Sequence, residues 1–332
     1  MYRFLLIHYT WIKCIFFVKC RGMEIRFFFI PAAKPTRWLQ CLGVFLSFML
    51  IACSQERVSS VSAVSKAASE NEATPKADTL ILRYWKGYNY QDEANFTNPE
   101  KGEQSLVNFI NLFPSYSREV VSRSIKSMLN DAKEEPAAFD FFMKQYEKYL
   151  YDPNSPVRND VYYIPVLEFK LDSMRLEHSE KIRTSSKLTL LRKNLPGAIA
   201  TDFSYVLANG DRGHLSKLSS PLTVLFFYEP GCSHCEEAIQ QLEGQSFLRK
   251  AIADRSLVIL AVYPFGGKDI WKAYQAHIPN NWINGFDEQE EVVKKGLYDL
   301  KATPTIFLLD ADKKVILKDV DVVQLFAYLG LG

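Results

Sequence analysis

Two cysteines three positions apart, Cys232 and Cys235, close the stretch Phe226-Phe227-Tyr228-Glu229-Pro230-Gly231-Cys232-Ser233-His234-Cys235. Thiolates attack disulfides and also bind soft metals, so the surrounding sequence decides between the two chemistries. Upstream, Leu222, Val224, Leu225, Phe226 and Phe227 follow one another almost without a polar break, the pattern of a strand buried on both faces. Pro230-Gly231 stops that strand. From Cys235 onward the spacing turns helical, with Ala238, Ile239, Leu242, Phe247 and Leu248 along one side. The pattern therefore predicts Cys232 at a helix N-terminus, where unpaired N–H groups and the helix dipole favour a thiolate. Cys235, one turn further in, is predicted to be shielded and within disulfide reach of Cys232.

A structural zinc site would need four ligands, usually from two paired clusters. No second Cys-x-x-Cys occurs, and only the scattered His178, His214 and His277 could complete a set. The dithiol is therefore read as redox-active, and no metal site is assigned. A second stretch with chemical meaning is Ala302-Thr303-Pro304-Thr305, which opens an apolar run.

Together these motifs make the chain from about Leu195 to its C-terminus resemble the thioredoxin superfamily, in particular its membrane-tethered thiol-disulfide oxidoreductases. The resemblance implies that Cys232 attacks a client disulfide and Cys235 resolves the mixed disulfide. It implies a cis peptide at Thr303-Pro304 lying against the dithiol, with Thr303 and Pro304 binding an extended client. Ser233 and His234, between the cysteines, are implied to tune the redox poise, and a His before the second cysteine resembles the strongly oxidising periplasmic relatives. No cofactor is implied beyond the Cys232–Cys235 disulfide. The implied partners are protein thiols and disulfides and a membrane or periplasmic redox donor, with net reduction favoured. One departure is clear: six positions before Cys232, where thioredoxin keeps a buried carboxylate, this chain has Phe226. Glu229 and Glu236 are nearer in sequence, and the group that takes the proton from Cys235 stays open.

Two other functions remain to be weighed. A copper-handling module would use the same sulfurs, but the related copper-delivery proteins space their cysteines more widely and add a histidine near the late strand, where none stands here. A client-binding scaffold would leave the dithiol incidental.

The elements that must position these residues fall into two domains, α+β overall. From 79 to 194 the pattern is all-α: Leu106, Phe109, Ile110 and Phe113 form one stripe, Val121, Ile125 and Met128 another, and Phe139, Phe142, Met143, Tyr146 and Leu150 a third. Pro136 suits a first-turn position, and Pro165 must kink a helix over 157–171 or mark its start. Tyr84, Trp85, Tyr88, Tyr90, Tyr146, Tyr149, Tyr151, Tyr162 and Tyr163 could line a groove, but at helical spacing they are expected to fill the core and its rim. This domain resembles an uncharacterised helical domain found ahead of thioredoxin modules in bacterial lipoproteins. From 195 to 332 a hairpin at Asn209-Gly210, the central strand, and alternating strands and helices predict an α/β domain of thioredoxin fold, a central mixed sheet with helices on both faces.

Leu39 to Ala52 is an apolar run of fourteen residues behind Lys34 and Arg37, the h-region of a secretory signal and short of the ~20 residues a spanning helix needs. Leu50-Ile51-Ala52-Cys53 resembles a bacterial lipobox, which implies cleavage before Cys53 and its lipidation. Residues 1–52 are accordingly read as a signal segment, with 1–22 a misassigned start and Met23 the more usual one. Residues 53–78, rich in Ser, Ala, Glu and Lys, read as a lipidated tether. The expected location is the cell envelope, lipid-anchored and facing the periplasm. The full chain carries 40 basic and 38 acidic residues, and without the signal segment the balance turns slightly acidic, so no basic surface argues for nucleic acid.

Overall fold

The computed structural model describes residues 19–20, 23–24, 78–173 and 176–330. The chain divides into a unit of Met1–Asn71 and a compact unit of Glu72–Gly332. In the first, Lys19–Cys20 pairs antiparallel with Met23–Glu24. Apart from those four residues the expected signal segment lies outside the described residues, as do Cys53 and the tether up to residue 77.

Among the described residues the second unit opens with seven α-helices: α1 (Asp78–Leu82), α2 (Glu93–Thr97), α3 (Gly102–Ile110), α4 (Arg118–Ala132), α5 (Pro136–Leu150), α6 (Asp160–Ser173) and α7 (His178–Leu191). Local chemistry sets their starts. Ser117 is extended and its Oγ accepts from the Val120 N–H, capping α4. Pro136 opens α5, where its missing N–H has no helical partner to lose. The three apolar stripes converge on one core in which Phe109, Phe142, Tyr146 and Leu150 are fully buried. Trp85 sits at its centre, with ring centroids 5.3 Å from Phe142 and 5.6 Å from Phe109 in edge-on packing. The tyrosines at the rim turn their hydroxyls to main-chain carbonyls, Tyr84 to Ser105 and Tyr88 to Asn95. These aromatic residues are core and rim, as their spacing predicts.

Pro165 neither starts nor ends its helix; α6 runs through it. The lost main-chain hydrogen bond is offset by burial of Tyr163, Val166, Leu167 and Phe169 in the helical core.

The remainder is a seven-stranded mixed sheet. Its strands are β1 (Ser204–Val206), β2 (Arg212–His214), β3 (Leu222–Phe227), β4 (Leu257–Tyr263), β5 (Ile283–Phe286), β6 (Thr305–Leu309) and β7 (Val315–Val320). In space they run β2-β1-β5-β4-β3-β6-β7. β3 lies parallel to β4 and antiparallel to β6, in the middle of the sheet. Its apolar run is now explained: Val224 and Phe226 feed one core, and Leu225 and Phe227 feed the other. The first face is covered by α8 (Ser233–Gly244), α9 (Ser246–Ala253), α10 (Lys268–Ala273) and α12 (Val322–Tyr328). The second is covered by α11 (Glu291–Lys294), Ala200, Phe203 and Tyr298. The active-site helix, expected to carry Phe247 and Leu248, stops at Gly244, and those two residues belong to α9; residues 268–277 hold α10 and a 3-10 turn, and residues 290–298 hold α11 alone.

The boundary at Leu195-Pro196-Gly197 is stitched down rather than loose. The Gly197 N–H donates to the Val315 carbonyl and the Ala200 N–H to that of Lys313, both at 2.8 Å. Lys318 Nζ donates to the carbonyls of Leu191 and Lys193.

Candidate active site

Sequence dictates the elbow that presents the thiols. β3 ends in the sheet centre, Gly231 takes φ +79°, which an L side chain rarely adopts, and α8 starts at Ser233. Cys232 is the extended N-cap residue of α8, and its sulfur accepts from the Cys235 N–H at 3.2 Å. Cys232 is half-buried, whereas Cys235 is fully buried, and the two thiols are unbridged. Burial, and then the neighbouring Cys232 sulfur, push the Cys235 thiol up to about 12 against opposing pulls from Glu229 and Thr303. The pair is thus asymmetric by position: one sulfur opens to the surface and the other is a protonated thiol inside the core at neutral pH.

The Thr303-Pro304 peptide is cis. The Cys232 sulfur lies 3.4 Å from the Thr303 carbonyl, and the Thr303 hydroxyl is 3.6 Å from that sulfur. Two stretches 71 residues apart in sequence therefore meet at one atom. Thr305 Oγ1 donates to the Ala302 carbonyl and holds the loop closed behind them.

Of the residues between the cysteines, Ser233 is exposed and opens α8. The His234 side chain is 78% exposed, with Nδ1 3.7 Å from Glu237 Oε2, so it engages the next turn of its own helix. Glu236 accepts from Tyr274 Oη at 3.2 Å, and burial together with the Glu236 charge raises the Tyr274 hydroxyl to about 12. Phe226, in the position of the carboxylate that the sequence lacks, is completely buried. Among the described residues no cluster of three His, Cys, Asp or Glu side chains could hold a metal ion, and no helix is long and apolar enough to cross a membrane.

Sequence reasoning missed what stands behind Thr303. Lys301 Nζ lies 2.8 Å from Asp160 Oδ2 in α6, 2.8 Å from Asp319 Oδ2 in β7 and 3.4 Å from Asp299 Oδ2. Its side chain is 10% exposed and those of the three aspartates less. Burial alone would lower the Lys301 ammonium, but Asp319, Asp160 and Asp299 reverse this and hold it above its ordinary value. Arg158 adds hydrogen bonds to the Asp319 carboxylate and main chain. No spacing rule joins residues 141 apart; the readable sign was the opposite charges of Asp299 and Lys301 set among apolar residues just before Thr303.

A crystal structure of a thioredoxin-like protein from Bacteroides caccae is 33% identical to the chain, with a TM-score of 0.73, and the match covers 83% of this chain and 99% of that one. The chain belongs to the thioredoxin superfamily. The covered share is too large for the sheet alone, so this thioredoxin-like chain shares its helical part with that relative as well. The C-terminal domain of an uncharacterised Bacteroides fragilis protein is 36% identical over 41% of this chain and 98% of its own, with a TM-score of 0.40. The thioredoxin domain of a thiol-disulfide oxidoreductase from Bacteroides vulgatus is 21% identical over 41% of this chain and 96% of its own, with a TM-score of 0.36. A family model described as a domain of unknown function (DUF5106) matches residues 54–194. No curated protein matches the chain.

Proposed function

We propose that this thioredoxin-superfamily protein is a thiol-disulfide oxidoreductase that acts on protein disulfides, with reduction as its net direction. The observation that carries the reading is the half-buried Cys232 sulfur at the N-cap of α8, 3.4 Å from the Thr303 carbonyl, with Cys235 buried one turn behind it. As a thiolate, the Cys232 sulfur attacks one sulfur of a client disulfide: a Cys232–client bond forms, the client S–S bond breaks, and the other client sulfur leaves as a thiolate. Cys235 then attacks the Cys232 sulfur, its proton passing through solvent to a departing client thiolate. The Cys232–Cys235 bond forms, the second client thiolate leaves, and two electrons have passed to the client. A dithiol donor in the membrane or periplasm returns the pair to its reduced form. Cys235, fully buried one turn behind Cys232 and with its thiol raised to about 12, is out of a client's reach and beside the Cys232 sulfur, which suits it to be the resolving partner.

Turbidimetric reduction of insulin tests this reading. Wild type is expected to accelerate it, Cys232→Ser to abolish it, and Cys235→Ser to accumulate client mixed disulfides visible on a non-reducing gel. A wild type no faster than free dithiothreitol would sink the proposal. The location is part of the same reading: the apolar run before Cys53 supports a lipid-anchored protein facing the periplasm. Cys53→Ala is expected to lose fatty-acid labelling and to stay at its unprocessed size; normal maturation of that variant would refute the anchor.

A further inference from the structure

Beside the Cys232 sulfur lies a cleft of about 390 Å³ built from both parts of the compact unit. Its floor is Thr303, Pro304 and Ile306, and one wall is the first turns of α8, with His234, Glu237 and Ala238. Val320, Asp321 and Val323, where β7 passes into α12, close a second side. The remaining wall comes from the helical part: Pro153, Asn154 and Arg158, in the connection between α5 and α6. That connection is held in place before any ligand arrives. Asp152 Oδ1 accepts from the Asn154 N–H at 2.8 Å, and Arg158 donates to the Pro153 carbonyl at 2.6 Å and to Asp319 Oδ1 at 3.1 Å.

We infer that this cleft is a client-selectivity site which receives the polypeptide flanking a client's cysteine and favours an aliphatic residue next to a lysine or arginine. The inference rests on the oxidoreductase reading above. A chain joined covalently to the Cys232 sulfur must run across Thr303 and past His234, and both line the cleft. The volume lies in the range of pockets that enclose small ligands, ample for an aliphatic side chain. Val323, 72% exposed at the mouth, is the apolar surface that such a side chain would cover. The charges set the second preference. Arg158 is engaged with Asp319, whereas the Glu237 and Asp321 carboxylates that line the cleft have no lysine or arginine in salt-bridge contact among the described residues: Asp321 Oδ1 accepts from the Gln324 N–H at 2.7 Å and Glu237 Oε2 lies 3.7 Å from His234 Nδ1. The cleft therefore presents net negative charge around an apolar floor, which suits a cationic neighbour.

The test uses the reduced, purified protein and three disulfides: bis(2-hydroxyethyl) disulfide as a small reference, and two cystine-bridged synthetic peptides. One peptide carries Leu and Lys beside its cysteine, the other Ser and Glu. Relative to the reference, wild type should reduce the Leu/Lys peptide about tenfold faster than the Ser/Glu peptide, the size of effect a shaped apolar pocket gives. Asn154→Trp, which fills the cleft from the helical side, should collapse the preference, and Glu237→Lys should reverse its charge component. Reduction of the small disulfide with equal rates for the two peptides, or a preference that neither variant moves, overturns the cleft as a selectivity site and leaves the oxidoreductase reading standing. Failure of wild type to reduce even bis(2-hydroxyethyl) disulfide overturns both.

Discussion

At the scale of residues, the site depends on a difference between two chemically identical side chains. Cys232 ends the elbow after β3 and faces outward, while Cys235 is fully buried with its thiol raised to about 12. Iodoacetamide at neutral pH is therefore expected to alkylate Cys232 and leave Cys235 as a free thiol until the protein is unfolded, as read by mass spectrometry of tryptic peptides. Equal modification of both in the folded protein would contradict the asymmetry. This much was legible in the sequence, because strand, Pro-Gly stop and helical spacing leave only one place for each cysteine. The direction of His234 was not. Nothing in a Cys-Ser-His-Cys string says that the imidazole lies 3.7 Å from Glu237 on the following turn, since that depends on a rotamer choice at an exposed position.

Among elements, the loop from Asp299 to Pro304 has two attachments. One end touches the Cys232 sulfur through Thr303, and the other is fixed into α6 and β7 through Lys301. Removing one partner of a buried ion pair costs about 3–5 kcal/mol because the charges left behind have no compensation. Lys301→Met should accordingly lower the urea midpoint by that order of stability, with the same denaturant slope as wild type. A midpoint unchanged from wild type would mean that Arg158 and Lys318 already neutralise the three aspartates. The element pattern itself was readable wherever periodicity was long, as in α4, α5 and β3. It was less readable where packing overrides local preference: α6 continues through Pro165 with Tyr163, Val166, Leu167 and Phe169 buried, and α11 stops at Lys294 although apolar residues follow. Tyr298 instead buries its ring against Phe203, Phe227 and Phe307.

For the whole molecule, one compact unit holds a helical core and a sheet with a core on each face. Its carboxylates do not all respond to acid alike. Hydrogen bonds from Lys148 and Tyr149 hold the Glu103 carboxyl below its ordinary range, whereas burial raises Asp160 and Asp287. A lowered carboxyl contributes stability above its unfolded value of about 4.3, and that contribution is lost as pH falls through the lower folded value. The raised pair acts in the opposite sense, so the Glu103 contribution is best read by difference. Glu103→Gln should melt below wild type at pH 7 and approach it at pH 3, measured by circular dichroism; a gap that stays constant would show that Glu103 is not held low. The joining of the helical part to the sheet was not legible in the sequence, because it rests on single side chains from distant positions. That joining also changes what the covalent link between the parts is for. Lys318 grips the carbonyls of Leu191 and Lys193, and residues 197–200 hydrogen bond to Lys313 and to Val315 at the start of β7. With both flanks of Leu195-Pro196 fastened to the same strand, the backbone there is a pinned joint rather than a hinge, and the wall that the helical part lends to the cleft keeps its place against the thioredoxin-like sheet.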